Sequence, residues 1–262
     1  MKIASLASRL STLFAAAALI LAGAAFAAEV RVMTSGAFTA PYKELVPAFE
    51  KATGHKVISA YGASQGGAPD SIPSRLERGE PVDVVILAGP ALDGLIKAGK
   101  VVDGSRVDVV RSTIGMVVRQ GAPKPDIGTV EALKRTLLEA KSIAYSASAS
   151  GTYLSTEMFP KLGIAEQIKG KTQRIVSERV GTVVARGDAE IGFQQVSELL
   201  SIPGVDYVGP LPPEVQRVTF FSAGIATGAK EPEVARELVK FFTSPAADPV
   251  IAKHGLEPGR AR

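Results

Sequence analysis

Three times in this chain a strand-like apolar run breaks into serine and glycine, and an amphipathic helical pattern follows within a few residues. The turns are Thr34-Ser35-Gly36, Tyr61-Gly-Ala-Ser64-Gln65-Gly-Gly67 and Ser148-Ala-Ser150-Gly151-Thr152. Strands that alternate with helices build an open sheet with helices on both faces, and the turns then collect along one edge. There they present hydroxyls and free backbone N–H groups at helix starts, which favours negative charge. One such turn is ordinary turn chemistry. Three at successive sheet ends predict an anion-binding cleft, with Ser35, Gly36, Ser64, Gln65, Ser150 and Gly151 as candidate contacts.

The N-terminus carries a separate signal. Lys2 and Arg9 precede an apolar run from Leu13 to Ala25, closed by Ala25-Phe26-Ala27 before Ala28. A basic start, a short apolar segment and a small-x-small end make a cleavable export signal over residues 1–27, with cleavage near Ala27 and Ala28. The alternative is a membrane anchor, but the run falls short of the roughly 20 residues that span a bilayer. The chain has no cysteine, which excludes a lipoprotein anchor, thiolate metal sites and cysteine nucleophiles. His55 and His254 are the only imidazoles. No metal or cofactor is therefore expected. Without Lys2 and Arg9 the 30 basic side chains become 28 against 26 acidic ones, with no basic cluster, so nucleic acid is not an expected partner. A periplasmic monomer is expected.

In chain order, the spacing predicts a strand at 30–33, a helix near 42–52 closed by Gly54, a strand at 56–61, and a helix capped by Asp70 or Ser71. Val82-Asp-Val-Val-Ile-Leu87 is almost continuously apolar, the mark of a strand buried on both faces. A helix over 91–98 completes βαβαβα. Two strand-like runs, 107–111 and 114–118, then follow without a helix between them, which marks a crossover. The second unit holds helices over 130–140, 153–162 and 180–186, and strands over 142–145, 172–176 and 191–195. After Gly209-Pro-Leu-Pro-Pro213 the run from Val218 to Ala226 crosses back, and helices at 232–243 and near His254 finish the chain. The division is residues 28–110 plus 218–262 as lobe 1 and 111–217 as lobe 2. Two lobes joined by a pair of strands form a hinge that closes over a ligand.

With these pieces in order, the chain resembles the periplasmic molybdate-binding proteins of ABC importers. The likeness rests on Val30-Arg-Val-Met-Thr-Ser35, Tyr61-Gly-Ala-Ser64, the stretch from Arg75 to Ile86, Lys161-Leu-Gly163, Ile191-Gly192 and Ala252-Lys-His-Gly255. It implies an α/β fold of the two-lobe type II periplasmic binding class, each lobe a mainly parallel sheet flanked by helices, joined by two crossover strands. It also implies a receptor, not an enzyme, that captures a small anion and passes it to an ABC-importer permease. Carried over, the family's oxyanion-binding serines match Ser35 and Ser64, and its donor turn matches Ser150-Gly151. A further backbone donor falls near 177–179. The family's tyrosine falls on Gln195 or its neighbour Gln194, a departure from the pattern.

Two residues tilt the ligand toward a carboxylate. Arg179, at a helix start facing the expected cleft, offers a planar fork that suits carboxylate oxygens, and Gln195 both donates and accepts. The competing role for Arg179 is a solvated helix-end residue paired with Glu178 or Asp188. An enzyme reading also exists, because Gly62-Ala-Ser64-Gln-Gly66 has the form G-x-S-x-G and His254 follows. It lacks an oxyanion segment and an orienting acid, so a Ser64–His254 hydrolase ranks below the receptor. A receptor that signals to a membrane sensor would use the same lobes.

Overall fold

The computed structural model describes residues 27–260; the expected export signal lies outside them apart from its last residue. The chain opens with β1 (Glu29–Thr34), α1 (Gly36–Thr53), β2 (Lys56–Tyr61), α2 (Ile72–Glu77), β3 (Val84–Ala88) and α3 (Gly89–Lys97). β1 lies between β2 and β3 and is parallel to both. All of β3 is buried, and its side chains alternate: Val84, Ile86 and Ala88 join the core under α1, while Val85 and Leu87 join Leu92 and Leu95 of α3 on the other face. An apolar run without polar interruption is the sequence of a strand that has no solvent face.

α1 begins at Gly36, one residue after β1 and a turn and a half before the start predicted from spacing. Pro41 and Pro47 lie inside it, and each removes a backbone donor. The helix persists because Phe38, Tyr42, Leu45 and Phe49 bury one face on the sheet. The early start brings the helix N-terminus directly to the end of β1.

β4 (Val107–Ser112) belongs to the first sheet and β5 (Ile114–Arg119) to the second, so the chain changes sheets at Thr113. The second unit continues with α4 (Val130–Glu139), β6 (Ile143–Ser146), α5 (Ala149–Tyr153), α6 (Phe159–Lys161), α7 (Ala165–Ile168), β7 (Thr172–Ile175), α8 (Val180–Arg186), β8 (Ile191–Gln195), α9 (Val196–Leu200) and β9 (Val205–Pro210). A π-helical turn, Leu154–Met158, joins α5 to α6. β10 (Thr219–Ile225) returns to the first sheet, followed by α10 (Pro232–Phe242), α11 (Asp248–Lys253) and β11 (Glu257–Pro258). Neither α9 nor β9 was anticipated from the sequence.

The strand orders are β11-β4-β10-β3-β1-β2 and β7-β6-β8-β5-β9. Each sheet has a parallel portion, β2-β1-β3 and β7-β6-β8, while the strands on the crossover side pair antiparallel. The sheets are thus mixed where mainly parallel ones were expected, because a strand that enters from the other lobe needs no helical crossover and runs against its neighbour. Where the chain passes between the sheets, the Gln216 amide clamps one crossover to the other: its Nε2 donates to the Ile114 carbonyl and its Oε1 accepts the Ile114 N–H, both at 2.9 Å.

Candidate functional site

The parallel strands of both sheets end at one cleft of about 370 Å³, within the range of roughly 300–1,000 Å³ typical of small-molecule sites. Ser35, Ser64, Ser150, Arg179 and Gln195 all line it, so the geometry assembles the predicted donors from five separate segments.

The state of those donors is more informative than their presence. Ser35 is the N-cap of α1, where a serine ordinarily accepts an N–H from the first turn. Here it is 1% exposed and, among the described residues, makes no side-chain cap bond and has no partner for its Oγ. Gln195 occupies the matching place at the start of α9, is 2% exposed, and neither its Nε2 nor its Oε1 is hydrogen-bonded among the described residues. A buried polar group without a partner costs about 1–3 kcal/mol. Two of them face one cleft, where a bound ligand could supply the missing bonds. Ser64 differs: its Oγ accepts the Ala88 N–H at 3.0 Å, which leaves its proton free to donate. Ser150 makes only a long 3.4 Å contact with Ser146.

Arg179 settles its competing role. Glu178 and Asp188, the partners considered for it, both bind Arg186, at 2.7 Å and 2.9 Å. The Arg179 guanidinium instead donates to Ser201 Oγ at 2.9 Å, and it has no acidic partner among the described residues. It stands half-buried on the cleft wall, close enough to the Glu198 carboxyl to favour its ionised form.

Two predicted contacts take other places. Gln65 does not line the cleft; its Nε2 donates to Thr152 Oγ1 at 2.8 Å and thereby links the lobes at the cleft edge. Gly151 is a packing glycine, since a Cβ there would lie 1.6 Å from the Ser146 carbonyl oxygen. Gly36 lines the cleft beside the Glu198 carboxyl. His254 binds Glu44 of α1 at 2.8 Å, so the proposed Ser64–His254 hydrolase pair does not form.

The sequence reading missed Glu198 and the role of Gln194. Gln194 Oε1 accepts the Val180 N–H at 2.9 Å, and its Nε2 donates to Glu198 Oε1 at 2.9 Å. Glu198 lies in the first turn of α9 and lines the cleft half-buried. Burial pushes its carboxyl up to about 7, against the opposing pull of Arg179 and the Gln194 bond. In the sequence it reads as one more acidic residue, on a helix too short to announce itself.

Comparison with known proteins fits this geometry. Residues 30–257 match the family of bacterial extracellular solute-binding proteins. A molybdate-binding protein of Azotobacter vinelandii is 33% identical, covering 90% of this chain and 92% of its own. The solved periplasmic molybdate-binding protein of Azotobacter vinelandii superposes with a TM-score of 0.70 at 20% identity, over 88% of this chain and 100% of its own, a likeness of fold. An aconitate isomerase of a Pseudomonas species is 45% identical over 95% of this chain and 97% of its own. That last likeness overturns the expectation that the chain is not an enzyme. The expectation rested on the resemblance to importer binding proteins and on the weakness of the Ser64–His254 hydrolase pairing.

Proposed function

The chain belongs to the family of bacterial extracellular solute-binding proteins, in its molybdate-binding-like branch, and from that premise we propose that it is an isomerase acting on aconitate or a closely similar unsaturated polycarboxylate in the cleft between its lobes. The observation that carries this reading is the 45% identity to an aconitate isomerase along nearly the whole of both chains. The cleft chemistry supports it. A guanidinium without an acidic partner suits a carboxylate bidentately, and the unpartnered Ser35 and Gln195 side chains supply neutral donors for further carboxylate oxygens.

The reaction needs no redox change. Aconitate bears a methylene group next to its double bond, and that methylene is also adjacent to a carboxylate. Removal of one methylene proton leaves an electron pair shared across three carbons. Return of a proton to the far end of that unit shifts the double bond, and the geometry about the former single bond decides which isomer results. Reversible thiol addition, another route across a double bond, has no protein nucleophile here because the chain lacks cysteine. The family description and the N-terminal export pattern are consistent with a reaction outside the cytoplasmic membrane.

The test is to incubate the purified protein with cis- or trans-aconitate and follow interconversion by NMR, with a thermal-shift series of aconitate, citrate, molybdate and sulfate alongside. Turnover from both sides to one equilibrium mixture is the expected result. A second reading, capture of an oxyanion for an importer permease, is favoured by the 33% identity to a molybdate-binding protein. Stabilisation by molybdate with no conversion of aconitate would establish that reading in place of ours.

A further inference from the structure

We propose that Glu198 is the residue that carries the proton in this cleft, taking it from the substrate methylene and returning it to the other end of the three-carbon unit. The assignment rests on the isomerase reading above and deepens it. The C–H bond breaks toward a Glu198 carboxylate oxygen, the electron pair spreads into the adjoining carbons and carboxylates, and the Glu198 O–H then delivers its proton to the far carbon. Atoms, electrons and the state of the enzyme balance with one group serving as base and then acid.

Geometry singles out this carboxylate. Its Oε1 is held by Gln194 Nε2, and Gln194 is itself fixed by the Val180 N–H, so the side chain has a set orientation. Its Oε2 makes no hydrogen bond among the described residues and is free to meet a substrate proton. The opposite lobe provides a berth: a Cβ on Gly36 would lie 1.9 Å from Glu198 Oε1. Gly36 thus belongs to the site by what it lacks. Because Gly36 begins α1 in one lobe and Glu198 lies on α9 in the other, the carboxylate reaches this position only with the lobes together. Proton transfer is thereby tied to closure, when bulk water is excluded.

The other charged groups on the cleft wall are poorer candidates. Asp70 is solvent-exposed, and Glu178 is held ionised by its two bonds from Arg186. Lys43 is an exposed cation over the Tyr61 ring, and the Arg179 guanidinium is a donor with no acceptor atom for a substrate proton. Both histidines are engaged elsewhere, His55 with the Ala28 N–H and His254 with Glu44. A carboxyl raised to about 7 by burial, with Arg179 limiting the rise, is populated in both protonation states at neutral pH, as a group that must both accept and donate requires.

The test compares the full-length mature protein with Glu198→Gln, Glu198→Asp and Gly36→Ala on aconitate. For Glu198→Gln we expect kcat to fall by about 10²- to 10⁴-fold, the usual share of a general acid–base residue. The aconitate-induced thermal shift should persist, which shows that the variant folds and binds. In D2O the wild type should form product that largely keeps its own proton, because Glu198 returns the one it takes while bulk water is excluded. The acid limb of wild-type kcat/KM should report a group near neutrality, and Glu198→Asp should recover part of the rate. Gly36→Ala, which keeps the carboxylate but pushes it from its berth, should lower kcat more than it weakens binding. Wild-type turnover with a Glu198→Gln rate within about threefold of it would overturn the assignment and leave the isomerase reading standing. A wild-type protein that binds aconitate yet neither converts it nor exchanges its methylene protons would overturn both.

Discussion

The two walls of the cleft do different work. Lobe 1 lays down a floor of neutral, buried hydroxyls, Ser35 and Ser64, at the ends of parallel strands. Lobe 2 answers with Arg179, Gln194, Gln195 and Glu198, a cation, two amides and a titratable carboxyl. Neutral donors stabilise charged oxygens without proton exchange and serve a receptor as well as an enzyme. A half-buried carboxyl is a liability for a receptor of dianions, since its ionised form repels the ligand and its neutral form must be maintained by burial. On the isomerase reading, one wall keeps the chemistry of capture while the other adds the chemistry of reaction, with the scaffold unchanged.

That comparison can be broken at several points besides Glu198. The largest effect on affinity should come from Arg179→Met, which removes the charge from the lobe 2 wall. Loss of charge-assisted hydrogen bonds worth about 1.5–3 kcal/mol should weaken aconitate by roughly 10- to 100-fold in calorimetric titration. An unchanged affinity would return Arg179 to the surface.

Within lobe 1, Ser35→Ala and Ser64→Ala should separate. Each should weaken ligand binding by about 1–3 kcal/mol. The Ser35 Oγ has no partner among the described residues, so its loss should leave the unliganded protein as stable as before. Ser64→Ala strands the buried Ala88 N–H, and urea unfolding should register about 1–3 kcal/mol of lost stability. Equal stability of the two variants would contradict the assignment of Ser35 as a group that waits for ligand.

A smaller effect follows from Glu198 and pH in the absence of ligand. Its carboxyl is raised on folding from the ordinary 4.5 to about 7 by burial, so between these values the folded state binds more protons than the unfolded one. Its stabilising effect is complete below about pH 4.5 and is lost as pH rises through 7. Compared with wild type, Glu198→Gln should therefore gain relative stability between pH 5 and pH 8, measured as a narrowing or reversal of the difference in denaturant midpoint. A pH-independent difference would mean that Glu198 is not perturbed. Smallest of all, Gln65→Ala cuts the exposed Gln65–Thr152 link between the lobes. It should cost about 0.5–1.5 kcal/mol of closure, read as a modest loss of affinity and a larger radius of gyration without ligand in solution scattering.

Much of this was legible from the sequence, and the reasons differ by residue. β3 was readable because an apolar run without polar breaks has one use in a sheet. Ser35, Ser64 and Ser150 were readable because strand ends and helix starts are marked locally by small polar residues. Arg179 was picked out by its place at a helix start, although only the commitment of Glu178 and Asp188 to Arg186 shows that neither is its partner. Gln65 and Gly151 share the local signature of the contacts, yet one bridges the lobes and the other makes room for a carbonyl. Residue type and turn position were the same for both outcomes.

By itself, the sequence determined the alternation of strand and helix, the sheet crossovers and the collection of donors at strand ends, because each is written in the periodicity and small residues of a single segment. Only the tertiary structure decided which polar groups are left without partners and where a carboxyl is buried. Glu198 lies on a helix of five residues with no pattern of its own, and its berth is a glycine in the other lobe. Burial, proton affinity and unmet hydrogen bonds are properties of what a distant part of the chain places alongside a residue. They come into being when the two lobes meet, as where Ser197 bonds to Ala37, 160 positions away.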